Sequence, residues 1–202
     1  AVRLMGLAIA LPIGLVCGFS PQLLTVWVGP EFANLAPLMV LLTVHLSINL
    51  AVLPVFSINV VHNKVRVPGI LTLVMGIGNI ALAVALPLLT GWGYFGVAAA
   101  GAIVLTLKNA VFTPWYATKV LGVEVHTFTR SILPGIAATI IVGISAATLG
   151  AVLPLKSLTM LAVAGIFVTL IYMAALLAFG LSKFERRLFE SYLPLALRRI
   201  MT

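Results

Sequence analysis

Lys108 falls inside a long apolar stretch of this 202-residue chain, with Asn109 directly after it. An ammonium at the centre of a bilayer costs about 2.5–3.5 kcal/mol on insertion scales. It persists where it faces a wet cavity, meets an anion, or reaches back to the interface. Lys108 lies about 12 Å along a helix from Tyr116 at 1.5 Å per residue. Two readings stay open: its stem snorkels to the interface, or its tip meets an anion in an aqueous lumen. In the second, the anion is bulky, such as a lipid pyrophosphate, on which an ammonium acts as a point charge in low dielectric. Other polar residues lie in neighbouring apolar stretches: His45, Ser47 and Asn49 in one, Asn79 in the next. His45 and Asn49 share a helix face at i, i+4. Polar side chains at this depth face the bundle interior or a cavity. For His45 and Asn49 the choice is between an interhelical hydrogen bond and contact with substrate or a proton. Lys108, Asn109, His45, Asn49 and Asn79 form the candidate substrate-binding set.

Other chemistry finds little footing. The four carboxylates, Glu31, Glu124, Glu185 and Glu190, all fall outside the apolar runs, so no pair is available for acid–base hydrolysis. His45, His62 and His126 have no metal-ligand spacing with cysteine or carboxylate, and no buried Ser–His–acid arrangement can be proposed. The expectation is a protein that is not an enzyme and needs no metal or cofactor. Cys17 is alone and excludes an internal disulfide. The net charge of +8 does not imply nucleic-acid binding, since no basic stripe is interleaved with aromatics.

The elements that must carry these residues are membrane spans. Hydrophobic residues make up 62% of the chain and charged ones 8%, with a mean hydropathy of +1.24. A water-facing surface needs about 25–35% charge, and continuous apolar runs exclude the alternation of a transmembrane barrel. An all-α polytopic bundle is expected, with six spans near 4–28, 36–57, 69–89, 96–116, 131–153 and 158–181. Each is close to the roughly 20 residues that cross a hydrocarbon core. Placing Arg3 inside puts Lys64, Arg66, Lys119, Arg130, Lys183, Arg186, Arg187, Arg198 and Arg199 on the same face, as the positive-inside bias requires. Both ends are then cytoplasmic, and Trp27, Trp92 and Tyr94 mark the outer interface. Gly135, Thr139, Gly143 and Ala147 recur every four residues and predict a face that a neighbouring helix approaches closely. Pro54, Pro87 and Pro114 are candidate flexing points. Residues 1–181 form the lobe. Residues 182–202 read as a basic amphipathic helix on the cytoplasmic surface. A start almost inside a span suggests a piece of a longer protein.

Two segments carry a resemblance. LLTVWVGPEFANLAPLMVLL (23–42) has a tryptophan, a Gly-Pro-Glu-Phe turn and an apolar helix. GWGYFGVAAAGAIVLTLKNAVFTPWYATKVLG (91–122) has an aromatic-glycine turn before a small-residue helix with a basic residue. As a set they resemble the polysaccharide-flippase branch of the multidrug/oligosaccharidyl-lipid/polysaccharide exporter superfamily, with the chain as its C-terminal six-helix lobe. The resemblance implies a transporter that moves lipid-linked oligosaccharide across the cytoplasmic (inner) membrane by alternating access. It implies a partner N-terminal lobe, a glycan with a pyrophosphate head group as cargo, and contact with membrane lipids but no nucleic acid. Lys108 would be this lobe's cation in the lumen. Two alternatives remain, a cation-coupled multidrug antiporter of the same superfamily and a non-transporting membrane assembly subunit.

Overall fold

The computed structural model describes residues 1–124, 126–182 and 185. Among these the chain is helical throughout, with no strand. Five helical stretches, Pro30–Val61, Arg66–Thr90, Tyr94–Leu121, His126–Val152 and Leu158–Gly180, are each long and apolar enough to span a membrane. A sixth is a bent pair, α1 (Val2–Gly18) and α2 (Ser20–Trp27), meeting at 66°. Five of the six predicted spans are thus single stretches of this kind, and the first corresponds to the bent pair. The bend has a local cause. Pro21 has no N–H to give to the Cys17 carbonyl four residues back, and the Ser20 hydroxyl donates to that carbonyl instead, at 2.8 Å.

The second span starts with a short 3₁₀ turn and breaks into α3 (Ala36–Val44), α4 (Leu46–Ala51) and α5 (Leu53–Val61). The third is α6 (Arg66–Thr90). The fourth is α7 (Tyr94–Leu107), a wide π turn (Lys108–Phe112) and α8 (Thr113–Leu121). The fifth is α9 (His126–Val152), and the sixth is α10 (Leu158–Ala175) with a second π turn (Leu176–Gly180).

The crossing of α1 and α9 is the tightest packing in the bundle. Gly6 lies against Gly135 so closely that a Cβ on Gly135 would come 2.8 Å from Gly6 Cα. One on Gly14 would come 2.7 Å from the Val142 side chain. Thr139, buried in the same face, returns its hydroxyl to the Gly135 carbonyl at 2.9 Å. The four-residue stripe expected from sequence holds at Gly135, Thr139 and Gly143 but drifts at its end. Ala146 is fully buried and Ala147 is exposed, because a helix turns in 3.6 residues, not four.

Two apolar cores flank this crossing. One gathers Val2, Val52, Val55, Ala117 and Ile132, and the other Phe19, Val142, Ala146, Leu155, Leu161 and Val168. The α6 helix packs chiefly on α7. Its outward residues, Leu73, Ile77, Ile80 and Leu88, are more than three-fifths exposed, a surface suited to lipid or to another apolar protein face. The α6–α7 turn needs its glycines: Gly91 and Gly93 have φ of 71° and 53°, and a Cβ on Gly96 would sit 2.9 Å from Pro87 N.

One ion pair ties the first span to the last. Arg3 donates to the Glu185 carboxylate and to the Gly180 carbonyl, both at 2.7 Å. Ser182 and Glu185 exchange hydrogen bonds in the manner of a capping box. Burial pushes the Glu185 carboxyl up, but hydrogen bonding to Ser182 and the Arg3 guanidinium outweigh it and leave it below its ordinary value. The predicted surface helix otherwise lies outside the described residues.

Gly135→Leu is expected to destabilise the protein by about 1–3 kcal/mol or more through overpacking, seen as a lower melting temperature in detergent. Gly76→Leu, where a Cβ meets nothing within 4 Å, is the control and should melt like the parent. The lowered Glu185 carboxyl gives a second expectation. Its pairing is complete above the ordinary value of 4.5 and is lost as pH falls through the lowered one. Melting scans between pH 7 and 3 should therefore show less acid destabilisation in Glu185→Gln than in the parent; equal loss would rule the ion pair out as the cause.

Candidate functional site

The second and fourth spans lie side by side and run in the same direction, since α3 packs on α7, α4 on the π turn and α5 on α8. Each is broken at a matching level beside a proline, and the second span has a further break at His45 with no proline in the turn that follows. Pro54 and Pro114 each stand second in the helix that follows the break, where neither has an N–H for the carbonyl four residues back. The two spans adjust in opposite ways. The second tightens, with Ile48 N–H to the His45 carbonyl at 3.3 Å and Val55 N–H to the Val52 carbonyl at 2.9 Å. The fourth widens, and Thr113 N–H reaches back five residues to the Lys108 carbonyl.

Between the breaks lies a buried polar seam. Asn109 Nδ2 donates to Asn49 Oδ1 at 3.0 Å, and the Thr113 hydroxyl donates to Asn109 Oδ1 at 3.3 Å. All three residues are at most 7% exposed. The side-chain Nδ2 of Asn49 and Oδ1 of Asn59 are buried with no protein partner among the described residues. In hydrocarbon such groups are satisfied by neighbouring helices or by water.

Lys108 stands beside this seam, half-buried. Its Nζ is 5.3 Å from the centre of the Phe56 ring, and it has no ion-pair partner among the described residues. Phe56 is seven residues past Asn49, so the ammonium reaches from the amide level along the neighbouring span toward its Val61 end. A cation–π contact contributes about 0.5–2 kcal/mol, less than the roughly 2.5–3.5 kcal/mol cost of a central ammonium. The ring alone leaves part of that cost unmet.

The other two candidates stand apart from the seam. His45 donates through Nδ1–H to the Leu41 carbonyl at 3.1 Å, because a carbonyl can only accept. With Tyr94 and Gly101 it borders a cavity of about 570 Å³ between α3 and α7. Asn79 reaches α7 from α6, and its buried Oδ1 lies 4.0 Å from where a Gly101 Cβ would stand. The five candidates thus divide into Lys108, Asn109 and Asn49 at the paired breaks, and His45 and Asn79 along α7. Thr113 and Phe56 belong to the first group and were absent from the sequence set. The i, i+4 spacing of Asn109 and Thr113 could have revealed one; nothing in the sequence placed Phe56.

Removing one member of the amide pair strands the other. Asn109→Leu is expected to cost about 0.5–2 kcal/mol, the range of hydrogen bonds between membrane helices. Asn49→Leu combined with Asn109→Leu should regain part of that loss, because no buried amide is left without its partner. Strictly additive losses in the unfolding free energy of the double variant would mean the pair is not coupled.

The chain is similar to one curated protein, an uncharacterized membrane protein, EpsK, of Bacillus subtilis (strain 168). Identity is 37% over 190 residues, covering 93% of this chain and 37% of that protein. The chain therefore spans little more than a third of the relative's length. No family model and no solved structure matches. Similarity to a bacterial membrane protein and a set of apolar spans together describe a multi-pass helical membrane protein.

Proposed function

We propose that this chain is part of a flippase, a transporter that carries a lipid-linked oligosaccharide or polysaccharide precursor across the cytoplasmic membrane and makes or breaks no covalent bond. The observation that carries this reading is Lys108: an intramembrane ammonium beside a buried amide seam, with no counter-charge among the described residues. A pyrophosphate head group supplies the missing negative charge, and in low dielectric the pairing is strong. The resemblance of segments 23–42 and 91–122 to polysaccharide flippases supports the same cargo. The rest of the transporter, including a second lobe, supplies the other wall of the passage. Both ends of this chain then lie on the cytoplasmic side, where its basic residues concentrate.

Alternating access needs places that bend, and the paired breaks at Val52 and at Lys108–Phe112 are suited to it. Short, irregular turns in a span change angle at less cost than continuous helix. A cation-coupled drug antiporter is less well supported. Its chemistry needs a carboxylate within the spans. Glu31 lies in the turn before α3, Glu124 in the loop before α9, and Glu185 is held by Arg3.

In the full-length protein, Lys108→Ala should lower transfer of lipid-linked glycan about tenfold or more, and Lys108→Arg should keep much of it. The readout is appearance of the glycan on the outer leaflet in cells or proteoliposomes, at matched protein level. Unchanged transfer by the Ala variant removes Lys108 from the site and favours snorkelling.

A further inference from the structure

Helices α9 and α10 are consecutive yet diverge, leaving an apolar groove along one side of the bundle. It consists of two adjoining cavities of about 370 and 610 Å³, with Leu149 and Phe167 lining both. The groove follows α9 from Ile141 to Val152, about 17 Å at 1.5 Å per residue. One leaflet of a bilayer with a hydrocarbon core of about 30 Å is about 15 Å deep. The groove thus has the length of one lipid tail in one leaflet.

Its walls suit hydrocarbon. Val163, Phe167 and Ile171 on α10 are each more than half exposed. The three hydroxyls of the smaller cavity have already committed their protons to backbone carbonyls. Ser145 donates to Ile141 at 2.8 Å, Thr148 to Ser145 at 2.9 Å and Tyr172 to Leu7 at 2.6 Å. A polar head group has no donor among these three, whereas an acyl chain restores the dispersion contacts that an open groove forfeits.

The mouth of the groove is different. Leu153, Pro154 and Leu155 line it, and Leu155 is buried in the core. The next residue in the chain, Lys156, follows directly on these lining residues. Lys156 is exposed and has no ion-pair partner among the described residues. Its N–H bonds the Pro154 carbonyl at 2.9 Å, and Ser157 caps α10 by accepting from Met160 N–H at 3.3 Å. An exposed cation next to the end of a tail-length apolar groove is complementary to a lipid whose head group is anionic.

We propose that this groove binds an anionic phospholipid, with one acyl chain between α9 and α10 and its phosphate on Lys156. The site is separate from the seam around Lys108 and does not depend on what the protein transports.

The test uses the full-length protein in detergent, titrated with phosphatidylglycerol or phosphatidylcholine and read by native mass spectrometry. Phosphatidylglycerol should bind about fivefold more tightly, the equivalent of one interfacial lysine. Lys156→Ala should abolish that preference and Lys156→Arg should keep it. Val163→Trp, which fills the groove from an exposed position, should weaken both lipids. A photoreactive residue at Ile171 in bilayers should then capture lipid. Equal affinity for the two lipids, or a preference that survives Lys156→Ala, overturns the proposal. Capture at Ile171 of another segment of the protein or of a second copy also overturns it, since the groove would then be covered by polypeptide.

Discussion

The close approach of α1 and α9 is the constraint on which the bundle depends. In a bilayer there is no hydrophobic gain from pressing one apolar helix on another, so association rests on how closely backbones can come together. Here the gain is made where Gly6 meets Gly135 and Gly14 meets Val142. Both apolar cores are built out from this axis, one around Val52, Val55 and Ala117, the other around Phe19, Leu161 and Val168. A side chain inserted at the crossing would move the two cores together, because they share the same pair of helices.

Polar groups in the bundle obey a second constraint, that backbone and amide groups in hydrocarbon find partners inside the protein. Pro21 frees the Cys17 carbonyl, and the neighbouring Ser20 hydroxyl takes it up. Pro54 and Pro114 interrupt two adjacent spans at one level, and the interruption is bridged by side chains, Asn49 to Asn109 to Thr113. The irregular backbone and the polar seam thus have one origin.

The bundle also differs from side to side. On one side α6 leans on α7 and exposes apolar residues elsewhere, as a helix bathed in lipid would. On another, α9 and α10 open into a groove with a lysine at its mouth. At the Arg3 end, charge is paired and capped by Glu185 and Ser182. Charged groups accordingly sit at helix ends and loops, with Lys108 the exception among the described residues. That exception is why the transport reading centres on it.

Much of this was legible in the order of residues alone. Apolar runs of about 20 residues require spans whatever their neighbours are, so number and limits of the helices follow from local composition. Prolines stand at the breaks at Pro21, Pro54 and Pro114, but Pro87, read as a third flexing point, lies inside the unbroken helix α6, as Pro12 and Pro134 lie inside α1 and α9, so proline alone did not say which spans break. Small residues every four positions in α9 announced a close contact, but not that α1 makes it, nor that Ala146 replaces Ala147 in the contact. Of the polar candidates, the sequence identified Asn49 and Asn109 without pairing them, and it grouped His45 with Asn49 although the two point to different neighbours. Which spans lie side by side, that the breaks coincide, and that Phe56 stands beneath the Lys108 ammonium were decided by tertiary packing. The last two depend on contacts between residues 50 or more positions apart, and helix periodicity carries no information about which faces meet.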